Sequence, residues 1–126
     1  MNGKIRCFED LTVWQKGIAF VKQVYLISDE GGLRDFGLKD QMRKAAVSIP
    51  TNIAEGFERA SRKEYLFFLN IAKGSAGEMR SLCRVSYDVG YIDKTTYEQL
   101  HQAAVAISRL LFNQIQAIKR APMRRV

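Results

Sequence analysis

The chain predicts an all-α fold, an up-down-up-down antiparallel four-helix bundle. Three observations predict it. Four long segments carry apolar residues at spacings of three and four, turn signals separate them, and no alternating period-two run competes as a strand.

The first segment runs from about Asp10 to Ser28. Leu11, Trp14, Ile18, Val21 and Tyr25 recur at spacings of 3, 4, 3 and 4, the expected inward seam of a packed helix. Gly31 and Gly32 stop it. The second runs from about Leu38 to Arg59, with Leu38, Met42, Ala45, Ile49, Asn52, Ile53 and Gly56 on one side. The third starts at Ser61, where Ser61-Arg62-Lys63-Glu64 has the form of a capping box. Its inward positions are Tyr65, Phe68, Leu69, Ala72, Ala76, Met79, Cys83 and Ser86, and Gly90 supplies a C-terminal stop. The fourth opens at the N-cap Asp93 and carries Tyr97, Leu100, Ala104, Ile107, Leu111 and Ile118 inward to about Lys119.

Pro50 and Gly56 sit inside the second segment, where a proline costs about 3 kcal/mol and a glycine about 1 kcal/mol. Two readings fit. Either one helix bends at Pro50, or Pro50 is the first residue of a new helix. The apolar phase runs unbroken from Ala45 through Ile49 to Gly56, which favours the bend. Asn52 then falls on the seam, where a buried amide needs partners and penalises wrong helix register. Glu55 flanks the same face, within reach of Ser75 or a nearby arginine. Gly56 lets the facing helix come close. Asn52 and Glu55 are therefore expected to serve in a polar clamp between the second and third helices, not as a catalytic dyad, within a structural motif of Pro50, Asn52, Glu55, Gly56 and Ser75.

The first helix carries a second apolar stripe, Val13, Phe20, Val24 and Ile27, opposite the first seam. The third repeats the feature with Phe67, Ile71, Gly74 and Val85 on its back, and Gly74 and Gly77 are costly in a helix unless another backbone approaches. Monomers rarely expose such patches. These two backs are the expected interface of a homo-oligomer.

Composition narrows the chemistry. A chain of 126 residues makes one domain, 1–126, ending in a basic tail at 120–126. Twenty Lys+Arg against 13 Asp+Glu give net +7, a balance that suits polyanionic partners. No apolar run reaches membrane-spanning length, and the N-terminus lacks a signal-peptide pattern. Cys7 and Cys83 are isolated thiols, as in a reduced cytoplasmic protein. The one histidine, His101, has no partner set for catalysis or metal binding, so neither an enzyme nor a cofactor is expected. The candidate nucleic-acid contacts are Arg59, Arg62 and Lys63 at the turn between the second and third helices, Arg80 and Arg84 further along, and Lys119 and Arg120 at the end. Arg124 and Arg125 extend the tail. Each could also be a solvated charge, and Arg62 could pair with Glu58. A protein-interaction scaffold, whose charge serves solubility alone, is the competing expectation.

FEDLTVWQKG and SIPTNIAEGFERASRKEYLFFLNIAKGSAGE resemble the 23S ribosomal RNA intervening-sequence proteins, from Phe8 to about Lys119. Leu11, Trp14, Gln41, Ser48, Pro50, Asn52, Ala54, Glu55, Gly56, Ser61, Glu64, Phe68, Ala72, Gly74, Ser75 and Glu78 carry the resemblance. It implies a four-helix bundle of undefined biochemical role. Relatives include the accessory protein of diversity-generating retroelements, a barrel-shaped pentamer, so the resemblance implies a homopentamer that engages RNA or DNA. Lys39 departs from the family pattern, which often has a small hydroxyl residue opening the second helix.

Overall fold

The structure, a computed structural model, describes residues 4–29 and 34–121. A 3-10 turn at Phe8–Asp10 leads into α1 (Thr12–Asp29), α2 (Phe36–Phe57), α3 (Arg62–Asp88) and α4 (Lys94–Arg120). No strand occurs among the described residues. The expected stop at Gly31 and Gly32 and the distal tail with Arg124 and Arg125 lie outside them.

The helices begin where short polar side chains can occupy orphan backbone N–H groups. Asp35 accepts from Leu38 N at 3.0 Å, so the opening of α2 is capped upstream of Lys39. Ser61 accepts from Glu64 N at 3.1 Å and donates to the Glu64 carboxylate at 3.1 Å. Asp93 accepts from Thr96 N at 2.8 Å. Beyond α3, Gly90 takes φ +85°, the left-handed conformation that ends many helices and that glycine adopts without strain.

Cross-helix contacts fix the topology as up-down-up-down. The Arg43 guanidinium near the start of α2 donates to Ser28 Oγ at 2.8 Å and Asp29 at 2.6 Å, at the end of α1. From α2 to α3, Met42 meets Ser86, Ser48 meets Ser75, and Gly56 meets Tyr65 and Phe68, one turn after another in opposite directions. Between α3 and α4, Arg62 reaches Ile118, Gln114 donates to Tyr65 at 3.2 Å, and Tyr87 stacks on Tyr97. α4 closes the ring by packing on α1.

Met42, Ile49, Ile53, Leu69, Met79, Leu100, Ile107 and Leu111 are fully buried in the middle. The inward positions expected for α2, α3 and α4 therefore hold, with Leu82 and Ile115 added. α2 runs as one helix through Pro50, which is itself buried, so no new helix starts there.

The two stripes of α1 are exchanged relative to expectation. Val13, Phe20 and Val24 are 5%, 1% and 1% exposed, and Ile27 packs half-buried against the same core. Of the expected inward seam only Leu11 is buried. Ile18 is 43% exposed, and Tyr25, Trp14 and Val21 look outward or lie at the boundary. The cause is Gly17, which falls between Val13 and Phe20 on the buried side. A Cβ there would stand 3.4 Å from Pro50, so this is the face of α1 that comes close to the proline ring of α2.

Candidate nucleic-acid interface

The expected basic residues separate by what their charged ends touch. Arg62 is not a ligand contact. Its guanidinium donates to Ile118 O at 2.7 and 3.1 Å, to Lys119 O at 3.4 Å and to Ala121 O, closing the exposed carbonyls at the end of α4. It pairs with these carbonyls, not with Glu58.

Arg59 is satisfied within the protein. It bonds Glu55 at 2.5 Å, lies 3.6 Å from Glu64 and sits 4.9 Å over the Phe68 ring. Arg84 bonds Asp88 at 2.9 Å, which raises its pKa further, and lies 5.9 Å from the Tyr97 ring centre. Both charges are partly neutralised before any partner arrives.

Lys63, Arg80, Lys119 and Arg120 are exposed and join no ion pair among the described residues. The contact of Arg62 with the end of α4 puts Lys63, Lys119 and Arg120 at one end of the bundle. Arg80 stands midway along α3. There it shares a groove of about 320 Å³ with Val105, Ser108, Arg109, Phe112 and Asn113 of α4. Arg109 went unremarked in the sequence, although Arg109, Phe112 and Asn113 follow at helical spacing. From Gln99 to Arg120 the helix holds no Asp or Glu, so no carboxylate in this stretch of α4 offsets these cations.

The expected clamp exists with different partners. Asn52 is half-buried and its amide donates to Ser48 O at 2.8 Å and Ser48 Oγ at 2.9 Å. Ser48 Oγ in turn lies 2.7 Å from Ser75 Oγ, the hydrogen bond that joins α2 to α3. Glu55 is exposed and turns to Arg59 instead of Ser75. Gly56 makes the close approach: a Cβ would stand 2.8 Å from Phe68 Cβ and 3.1 Å from Tyr65 O.

Two apolar surfaces remain uncovered. On α3, Phe67 is 60% exposed, with Ile71 and Val85 outward and open space beside Gly74. On the other side, Phe8, Trp14, Ile18, Val21, Val47 and Pro50 line a groove of about 490 Å³ between α1 and α2. Val13, Phe20 and Val24 belong to neither.

No group of three or more metal-ligating side chains forms among the described residues. His101 Nδ1 is buried without a hydrogen-bond partner, its ring 5.5 Å from that of Tyr97. Among the described residues no helix is long and apolar enough to cross a membrane.

These features define an all-α antiparallel bundle with unpaired cations and uncovered apolar faces and no assembled catalytic cluster among the described residues. Residues 9–113 match the 23S rRNA-intervening sequence proteins, and the chain belongs to that family. Among solved structures it is similar to a protein of unknown function from the S23 ribosomal protein family of Bacteroides thetaiotaomicron. The two share 26% identity and a TM-score of 0.77, over 82% of this chain and 95% of that one. No curated protein matches. Neither comparison indicates an enzyme family.

Proposed function

We propose that this protein is a non-enzymatic, cytoplasmic homo-oligomer, pentameric as the family resemblance implies, that binds RNA or DNA through phosphate contacts. The observation that carries the reading is the set of unpaired cations in the α3–α4 half. Lys63, Arg80, Arg109, Lys119 and Arg120 lie there without carboxylate partners, while α4 offers none from Gln99 onward. Unpaired surface cations release condensed counterions from a nucleic acid, which drives association. Repetition of the set around a ring would multiply it by avidity.

Self-association is supported by two dissimilar apolar faces. The α1–α2 groove and the Phe67–Ile71–Val85 face differ in lining residues, so copies would join head to tail, the kind of contact that builds a ring when the rotation between copies closes. A second reading, a scaffold for another protein, is favoured by the same α1–α2 groove.

Filter binding of structured RNA, single strands and duplex DNA across a salt series tests the proposal. Binding that weakens with salt by about 0.7 to 0.9 in log–log slope per phosphate supports it. Absence of binding at low salt removes it. A stoichiometric, nuclease-resistant protein partner on purification establishes the scaffold instead.

A further inference from the structure

The groove between α3 and α4 combines features found together nowhere else on the described surface. Arg80 and Arg109 enter it from facing helices, and neither joins an ion pair or side-chain hydrogen bond among the described residues. By contrast Arg43, Arg59 and Arg84 each face a carboxylate. Phe112, between Arg109 and Asn113, leaves its ring 51% exposed. Ser108 lines the same groove, and its hydroxyl is buried without a partner. A mid-helix serine ordinarily bonds the carbonyl one turn back; this one is left for something else.

We infer that this groove is a binding site for single-stranded nucleic acid, with Arg80 and Arg109 gripping a phosphate and Phe112 stacking the adjacent base. The inference rests on the nucleic-acid reading above and adds the site and the strand type. Paired guanidiniums suit a phosphate because each presents a planar fork of N–H donors. An exposed ring beside them suits an unpaired base, since bases in a duplex are already stacked on each other. The Asn113 amide stands beside Phe112 with both a donor and an acceptor for a base edge. At about 320 Å³ the groove is at the low end of the roughly 300–1,000 Å³ of small-ligand clefts, the scale of one nucleotide unit.

The test is fluorescence anisotropy of a fluorescein-labelled oligouridylate and of a duplex of equal length. Four proteins are compared: the unaltered chain, Arg80→Gln/Arg109→Gln, Phe112→Leu, and Lys63→Gln/Lys119→Gln/Arg120→Gln. The sedimentation mass of each is measured alongside. Phe112→Leu is expected to weaken single-strand binding about 5- to 150-fold, with an unchanged salt slope and little effect on the duplex. The double arginine variant is expected to weaken it at least tenfold and flatten the slope by about 0.7, one phosphate contact's worth on a single strand. If the unaltered chain binds neither probe at low salt, the nucleic-acid reading itself fails. If it binds and the groove variants bind equally well, while the triple variant does not, the groove inference alone fails. It also fails if Phe112→Leu changes the sedimentation mass, because the ring then belongs to a contact between copies.

Discussion

Gly17 of α1 and Pro50 of α2 meet face to face, a Cβ on the glycine standing 3.4 Å from both Cβ and Cδ of the proline. Two residues that each weaken a helix interior thus explain one another. The ring needs a neighbour with little or no side chain, and Gly17 supplies it. The contact also sets the rotation of α1 about its axis. With Gly17 inward, Val13, Phe20 and Val24 must follow, and Trp14, Ile18 and Val21 are turned toward the outer groove.

Gly17 and Gly56 respond differently to the same substitution. Gly17→Ala makes ordinary contacts of 3.4–3.5 Å and gains helix propensity, so its urea midpoint should stay within about 1 kcal/mol of the parent. Gly56→Ala meets Phe68 Cβ at 2.8 Å and the Tyr65 carbonyl at 3.1 Å and should lose about 1–3 kcal/mol. Gly17→Leu should lose at least as much, because the two helices would have to separate.

Ser48 and Ser75 form a pair whose halves are worth less alone. Removing one hydroxyl leaves the other short of a partner, and either single alanine variant should cost about 1–3 kcal/mol. The double variant should cost clearly less than the two singles together. A double-mutant cycle from urea unfolding measures the coupling, and strict additivity would mean the bond contributes nothing.

Arg62→Ala should open the end of α4. Three carbonyls lose a charged donor, and stability should fall by about 1–2 kcal/mol, with faster amide exchange near Ala117 and Ile118. Arg59→Ala, which breaks exposed ion pairs, should cost less than about 1 kcal/mol. The contrast separates a structural arginine from its surface neighbour.

Burial pushes the Cys83 thiol up to about 12. The unfolded chain loses that proton near the usual thiol value while the folded chain keeps it. The thiol's contribution to stability is therefore complete below the ordinary value and is lost as pH rises from there toward 12. In the native protein at pH 8 a thiol reagent should modify Cys7 and spare Cys83 until unfolding. At the other extreme, the Thr96 N–H holds the Asp93 carboxyl below its usual range. Its contribution should be present above the ordinary carboxylate value and lost as pH falls through the depressed one, and Asp93→Asn should flatten that acid limb.

The bundle was legible because α2 and α4 each carry one dominant apolar seam and the long inward seam of α3 outweighs the stripe on its back, with Asp93, Ser61 and Gly90 in their expected roles. α1 was not, because it is apolar on two faces and spacing alone does not rank them. Gly17 held the missing information, since a buried glycine marks the side of closest approach. The basic residues were visible as residue types, but their partners were not. Arg62 meets carbonyls more than fifty positions away, at Ile118, and such pairing exists only once the helices are packed. Arg109 was overlooked because a lone arginine in an apolar helix carries no pattern until Arg80 stands across from it.

The most direct measurement is sedimentation velocity of the protein with a labelled single-stranded oligonucleotide, followed at the label's absorbance across a salt series. At low salt the label should travel with a protein oligomer about five times the 14.4 kDa chain, and it should return to the free position as salt rises. A label that stays at the free position at the lowest salt, beside protein sedimenting as a single chain, would contradict the account.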